Sequence, residues 1–502
     1  MPDHPLPLPQ DLGGGLRLRS ATPADADALV AFNGDVHADA PGQPDAAMAS
    51  WTRDLLTRSH PTFRPDLFTI VEETGSGRII SSLNLIPQTW TYRGIELGVG
   101  RIELVGTHPE FRRRGLVRRQ MEVAHGWSQG LGHLLQGITG IPWYYRRFGY
   151  ALALDLGGAR VVPVTGLPAA PSGDPEPYLL RPATTDDIPL LLRADDHGRR
   201  RSLLSSVRDA SWWRYEIAGR SGAIAEWNRL WVVEPTTGEG KEGGEGAGTD
   251  AGPGARVGSA IGYVAVDSEL RSGSLLVSAC ETEAGASWIA LAPSLLRALR
   301  ATGDRYATAA DRAARAGVAH SSPEILAPSP DGSAVAGVTD PAGAGLEDAT
   351  CDRLVLRLGA EHPLYDALPS RMRDERSPYA WYVRVADLPA LLRHVAPVLD
   401  ANLARSAAAG YTGELRLWFF TSGLRLGFAA GRLVEAAAWP EGTPEEAGAT
   451  FPPLTFLHLV FGHRTLADLE YAFADCHAAN DEARAVLEAL FPKRPSFVAP
   501  LG

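Results

Sequence analysis

The stretch His108–Met121, HPEFRRRGLVRRQM, decides how the rest of the chain is read. It sets five arginines within eight residues, Arg112 to Arg119, with Gly115 among them, in a chain of net charge −11. The run before it, IELGVGRIELVGTH (95–108), has strand character. After Gly115, apolar residues recur at Val117, Met121 and Ala124, the spacing of one helix face. The pattern predicts a strand, a glycine loop and a helix from about Arg114 to Gln129. A helix start leaves backbone N–H groups unpaired and carries about half a positive charge. Glycine lets the backbone approach an anion closely, and Arg112, Arg113, Arg118 and Arg119 add charge around it. The stretch is therefore either a loop built to hold a phosphate or a solvated basic face.

The continuation, LLQGITGIPWYYRRFGY (134–150), reads as a second strand ending in Gly-Ile-Thr-Gly, then a helical turn carrying Tyr144 and Tyr145. A tyrosine there either packs the sheet edge or serves as an acid. A phenol's pKa of about 10 leaves it protonated, and so able to donate, at neutral pH. Upstream, LFTIVEE (67–73) and GRIISSLNLIPQTWTY (77–92) add antiparallel strands. A strand–helix–strand crossover joined to such strands predicts a mixed α/β sheet.

An internal repeat extends this reading. LRSATPADADAL starts at Leu18 and LRPATTDDIPLL at Leu180, both reading Leu-Arg-x-Ala-Thr-x-x-Asp. Thr22 and Thr184 are expected N-caps, each with an aspartate three residues on, Asp25 and Asp187. RLWVVEP, AIGYVAVD, SLLVSACE and the helical PSLLRALRAT follow the second copy in matching order, which predicts two α/β units in tandem. From 281 to 299, ETEAGASWIALAPSLLRAL has no Arg-x-x-Gly, so the second copy is expected to be inert. GLPAAPSGDPEP (166–177) reads as a linker and TTGEGKEGGEGAGTDAGPGA (236–255) as a disordered loop. From about Ser377 the pattern changes to an antiparallel meander, GELRLWFF, LRLGFAA and RLVEAAAW, with the amphipathic helices ADLPALLRHVAPVLDANLA and FPPLTFLHLVFG. This α+β region forms an ordinary core or houses a small apolar ligand.

Composition bounds the function. The 502 residues correspond to about three domains. The acidic balance argues against a general nucleic-acid binder. Cys280, Cys351 and Cys476 are widely spaced and suggest neither a disulfide framework nor a zinc site. The first residues lack the basic and apolar regions of a signal peptide, and no apolar run reaches the roughly 20 residues of a membrane span. A soluble cytoplasmic protein without metal, nucleic-acid or membrane partners is expected.

VGTHPEFRRRGLV, followed by YRRFGY, resembles the GNAT superfamily of acetyl-CoA-dependent N-acyltransferases. The Arg-Arg-Arg-Gly-Leu-Val form is most similar to the enhanced-intracellular-survival (Eis) branch. That resemblance implies a mixed-sheet α/β GNAT fold twice in tandem plus a C-terminal α+β sterol-carrier-like domain: a catalytic unit at 1–165, a degenerate one at 178–365 and a third at 377–502. It implies that the backbone at Val105 and Thr107 pairs with the pantetheine arm of acetyl-CoA. Arg112, Arg113, Arg114, Gly115, Leu116 and Val117 would form the pyrophosphate loop, Val117 standing where the superfamily usually has Gly or Ala. Tyr145 matches the general acid. The base would be the carboxylate of Gly502, although this tail ends in Pro-Leu-Gly rather than in an aromatic residue preceded by an acid. The implied activity is direct acetyl transfer to a primary amine, an aminoglycoside or polyamine among the candidates, in a homo-oligomer; the alternative is an inactive CoA- or lipid-binding module. Asp35, Asp39 and Asp45 supply an acidic cleft for such an amine or are solvated loop residues.

Overall fold

The structure, a computed structural model, describes residues 7–172, 175–221, 228–237, 256–315, 350–372 and 374–500. The loop expected between 236 and 255 thus lies, from residue 238 on, outside the described residues, as does Gly502. The first part of the chain runs β1 (Gln10–Gly13), β2 (Leu16–Ser20), α1 (Ala26–Val36), α2 (Ala46–Thr57), β3 (Phe68–Glu73), β4 (Ile79–Tyr92), β5 (Ile95–Thr107), α3 (Leu116–Gly130), β6 (Leu135–Ile138) and β7 (Ala151–Leu156). The next part holds β8 (Ala159–Pro163), β9 (Tyr178–Pro182), α4 (Ile188–Arg199), β10 (Leu204–Ser206), α5 (Ala210–Arg214), β11 (Asn228–Thr237), β12 (Arg256–Val257), β13 (Gly262–Asp267), β14 (Ser274–Thr282), α6 (Trp288–Arg315) and β15 (Arg353–Leu356). The last runs α7 (Pro363–Ala367), β16 (Asp374–Arg376), β17 (Tyr379–Val385), α8 (Leu388–His394), α9 (Ala396–Leu403), β18 (Gly413–Trp418), β19 (Gly423–Ala429), β20 (Arg432–Ala438), β21 (Ala449–Thr450), α10 (Leu457–Val460), α11 (Leu466–Ala472), β22 (His477–Ala478) and α12 (Asp481–Leu490).

These strands form three sheets. The first has the order β1-β2-β3-β4-β5-β6-β17-β7, with β10 paired to β4. Its α1/α2 face buries Leu29, Phe32, Trp51 and Leu55 against Ile70 and Ile86. Its α3 face buries Met121 and Ala124 against Leu83, Leu85 and Ile102. The second sheet runs β12-β11-β13-β14-β15-β8-β16, with β9 on β11. The third is the meander β20-β19-β18 extended by β21 and β22. Its buried side chains, Leu415, Leu417, Leu424, Leu426 and Phe428, join one continuous core with Trp90 and Trp381 of the first sheet and with α8, α9 and α12.

The expected boundaries at 165 and 377 are crossed by one ribbon. Residues 374–385 run antiparallel to 151–163: β16 pairs with β8 in the second sheet, and β17 pairs with β7 in the first. The ribbon passes between sheets at Gly157–Gly158, both at positive φ, where a Cβ on Gly158 would meet Pro378 at 3.1 Å. β8 therefore serves the second sheet although it precedes the expected linker. β17 fills the place between β6 and β7 although it lies more than two hundred residues downstream. The helix expected over 386–404 is two, α8 and α9, meeting at Val395. Pro397 lacks the N–H that a continuous helix would need there.

The repeated motif folds alike in both copies. Thr22 and Thr184 each close a capping box with Asp25 and Asp187. In each, the preceding arginine forks onto that aspartate, Arg19 onto Asp25 and Arg181 onto Asp187, both at 2.7 Å. Each arginine also reaches a glutamate on a neighbouring strand, Glu72 or Glu234. The Arg19 fork holds Asp25 down at about 2 from its usual 3.8. A group whose folded pKa is depressed adds stability that is complete above its unfolded pKa and disappears as pH falls through its folded one. Asp25→Asn is therefore expected to lower the urea midpoint at pH 7. The difference from the parent should shrink as pH drops from about 4 towards about 2, which urea titrations at several pH values would show.

Candidate active site

β5 and β6 lie parallel only over Val99–Arg101 and Leu135–Gly137. Beyond that they part, and Ile102–Thr107 has no strand on that side among the described residues. The cause is a bulge in β5: the register with β4 shifts between Glu103 and Gly106, and Leu104 sits at φ +51°. An extra residue bends the bulged strand away from its partner. A non-glycine residue in the left-handed region is strain of the kind that sits at functional sites. The half-buried Val105 and Thr107 lie on this freed edge. Thr107 is held by Ser81 Oγ at 2.8 Å, which also donates to Gln120 of α3 at 2.7 Å. The splayed strand is thereby tied to the helix that follows it.

At the open end comes the arginine loop. Arg113 and Gly115 both take positive φ, +66° and +77°. The backbone N–H of Arg119 reaches Gly115 O at 3.2 Å. Among the described residues, the N–H groups of Arg113 to Arg118 have no hydrogen-bond acceptor, so six consecutive donors converge at the start of α3. A run of free N–H groups at a helix N-terminus is an anion cradle. A Cβ on Gly115 would point into open space. Leu116 is buried beneath the loop against Leu18, Val71 and Ile80, and Val117 packs half-buried in the cluster that contains Tyr145. The arginines divide: Arg114 stacks on Phe111 at 4.8 Å and Arg118 on Phe148 at 5.5 Å. Arg112 donates to Thr107 O at 3.3 Å, and Arg119 pairs with Glu122. Arg113 is exposed with no hydrogen bond or ion pair among the described residues.

Tyr145 stands where the two strands part, 4% exposed, in a short turn of Tyr145–Phe148. Its ring packs edge-on against Tyr144 at 5.1 Å, Tyr382 at 5.4 Å and Tyr150 at 6.3 Å. Its hydroxyl has no partner among the described residues. Burial, and after it the Glu103 carboxylate, push the phenol well above its ordinary value. Such a group keeps its proton at neutral pH. Tyr382, from β17, also donates to Ile141 O at 3.2 Å and so fixes the loop before Tyr145. From α3, His125 meets the Tyr150 hydroxyl at 2.8 Å and fixes the residue that follows the turn.

The sequence brought out the loop and Tyr145 but not their supports. Arg101 and Glu103, paired at 2.7 Å, sit on the α1/α2 side of β5; Arg101 is 1% exposed, its guanidinium over Trp51 and Trp381. Their signal was opposite charges midway along a largely apolar strand run. Gln120 and Ser81 were equally legible as polar residues at inward positions, whereas Tyr382 carried no local signal. Asp45 proves to be the N-cap of α2, accepting from Ala47 and Met48, which removes it from any acidic cleft. The described tail lies over β10: Phe497 N donates to Leu204 O, Val498 is buried, and Ala499 packs on Trp212 and Tyr215.

In the second sheet β14 and β15 also run parallel, over Ser274–Val277 and Arg353–Leu356. Where they would part, His362 Nε2 meets Cys280 O at 2.8 Å, and Tyr365 Oη donates to Leu356 O at 2.8 Å. This second gap is filled by the chain itself. No described helix is long and apolar enough to cross a membrane.

Comparison with known proteins places these features. Residues 17–153 match the family model of the acetyltransferase (GNAT) domain. The GCN5-related N-acetyltransferase from Kribbella flavida is similar over 97% of this chain and 98% of its own, at 16% identity and a TM-score of 0.57. The GCN5-related N-acetyltransferase from Anabaena variabilis matches at 13% identity and TM-score 0.58, over 96% and 99%. Eis1 from Mycobacterium abscessus matches at 14% identity and TM-score 0.50, over 96% and 98%. No protein with a curated description matches the sequence. The chain thus carries a GNAT acetyltransferase domain and is an acyltransferase; the solved structures establish its fold.

Proposed function

We propose that the chain transfers an acetyl group from acetyl-CoA to a primary amine by direct attack on the thioester, as an Eis-like enzyme of the cytoplasm. The observation that carries this is the juxtaposition of six free N–H groups at the start of α3 with a protonated, buried Tyr145 at the parting of β5 and β6. Acetyl-CoA supplies the activated acetyl group. The N–H cradle and Arg113 would hold its pyrophosphate, and the freed edge at Val105–Thr107 would pair with its pantetheine amides as an added strand does. The amine must lose a proton before its nitrogen bonds the carbonyl carbon. As the carbon–sulfur bond breaks, Tyr145 would give its proton to the thiolate, and the nitrogen, now bonded to the carbonyl carbon, would shed its surplus proton to the phenolate and so restore the acid.

The Gly502 carboxylate remains the proposed base. What supports it is the course of the tail: Ala499 packs on Trp212 and Tyr215, and the two residues beyond Pro500 span at most about 7 Å. The matching Thr-Asp caps support a duplicated unit, and the filled gap at His362 supports an inert second copy. The sterol-carrier-like third domain and a homo-oligomer belong to the same reading, as do the absence of nucleic-acid, membrane and metal partners. The inactive CoA- or lipid-binding alternative gives no use to Tyr145.

The test is thiol release from acetyl-CoA on addition of primary amines, aminoglycosides and polyamines included. Release that saturates with one of them and requires the amine supports the proposal. No release with any amine, in protein that binds acetyl-CoA, favours the binding module.

A further inference from the structure

A chain of buried side chains joins α3 to the freed edge of β5. Thr69, Ser81 and Gln120, from β3, β4 and α3, are all fully buried. The direction of their hydrogen bonds follows from the inner end. Thr69 Oγ1 donates to the Leu83 carbonyl at 3.0 Å. A hydroxyl has one proton, so towards Gln120 it only accepts, and Gln120 Nε2 donates to it at 3.0 Å. Turning that amide over would set Oε1 against the Thr69 carbonyl, which lies 3.4 Å from Nε2. Gln120 Oε1 therefore needs a donor of its own, and Ser81 Oγ supplies it at 2.7 Å. The Gly106 carbonyl, 2.9 Å from Ser81 Oγ, could take the same proton, but Oε1 would then be buried and unmet. With its proton committed to Gln120, Ser81 accepts that of the Thr107 hydroxyl at 2.8 Å.

At the outer end, Thr107 is half-buried on the freed edge with its proton turned inward. What its hydroxyl can still offer a ligand is a lone pair, so it suits an N–H. At the inner end the chain grips α3 at Gln120, five residues beyond Gly115 and its N–H cradle. Arg112 Nε ties loop and edge a second time by donating to the Thr107 carbonyl at 3.3 Å. A ligand that occupies cradle and edge together is bound as a chelate, and its affinity depends on the separation at which the two are held.

We propose that Gln120 and Ser81 are positioning residues for the cofactor. They hold the Thr107 edge at the separation from the cradle that a nucleotide with an amide-linked arm requires. They also make the Thr107 hydroxyl an acceptor for an N–H of that arm. The proposal rests on the acetyl-CoA reading and names the part of the fold that joins its two binding places.

The test is calorimetric titration with two ligands, CoA and its phosphoadenosine diphosphate half, which keeps the pyrophosphate and lacks the arm. Gln120→Met preserves the length of the side chain and removes both polar ends. Ser81 can then turn its proton to the Gly106 carbonyl, and Thr69 keeps its bond to Leu83, so no buried donor is stranded. The expected result is CoA weakened about tenfold, the scale of one lost hydrogen bond, with the nucleotide half within about twofold of its affinity for the parent. Ser81→Ala cuts the same tie from the strand side. It is expected to repeat the pattern, and it replaces Gln120→Met if that variant does not fold. CoA bound by the variants as tightly as by the parent overturns the proposal. So does an equal loss for both ligands, which would show a general loosening of the loop. Either result leaves the acetyl-CoA reading standing, whereas a parent that binds neither ligand overturns that reading and the proposal with it.

Discussion

Tyr145→Phe is expected to lower kcat by about 10²- to 10⁴-fold while leaving acetyl-CoA affinity and the thermal midpoint close to those of the parent, the range of a positioned general acid. The separation of effects follows from the site. The ring supplies the packing against Tyr144, Tyr382 and Tyr150, and phenylalanine keeps all of it. The hydroxyl makes no hydrogen bond among the described residues, so its loss strands no partner. What disappears is the proton, held on the phenol by burial and by Glu103, that the thiolate requires. Turnover and calorimetric acetyl-CoA binding measured on the same preparation check this. A variant with parental kcat would remove Tyr145 from the chemistry and leave it as packing.

Trp381→Ala is expected to cost about 3–5 kcal/mol, read as the shift in urea midpoint, as emptying a buried tryptophan site does. The indole is fully buried in β17, edge-on to Trp90 at 5.7 Å and beneath the Arg101 guanidinium. Its neighbour Tyr382 braces Tyr145, so the same loosening reaches the acid. A chain ending at residue 376 goes further. It leaves β6 and β7 without the strand between them and exposes two unpaired edges, a recognised route to aggregation. The segment 1–165 alone is therefore expected to be insoluble, although residues 17–153 carry the acetyltransferase match. A soluble, cooperatively unfolding 1–165 fragment would contradict the ribbon's structural role.

The two predictions mark what a sequence can and cannot disclose. Local pattern carried the loop: Gly115 at positive φ, the helix face of Val117, Met121 and Ala124, and the Thr22 and Thr184 caps all follow from residues within one turn of each other. Spacing left Tyr145 open between packing and acid, and only the resemblance carried by YRRFGY singled it out. The ribbon did not show, because nothing near Tyr379 says that its partner is Leu156; that pairing is decided by which sheet has a vacant place. The Gly157–Gly158 pair was the visible trace of the crossing. The surroundings of Arg101 were invisible for the same reason, since Trp51 and Trp381 come from distant segments that only the fold assembles.

Calorimetric titration of acetyl-CoA into the parent and into Gly115→Glu tests the central claim most directly. At φ +77° a side chain strains the loop, and this one sets a carboxylate among the six N–H groups meant for the pyrophosphate. The expected result is saturable binding by the parent and a loss of about 10²-fold or more in a variant with an unchanged circular dichroism spectrum, the scale of like charges brought together. Equal affinity in the two proteins would contradict the account and place any cofactor site away from the arginine loop.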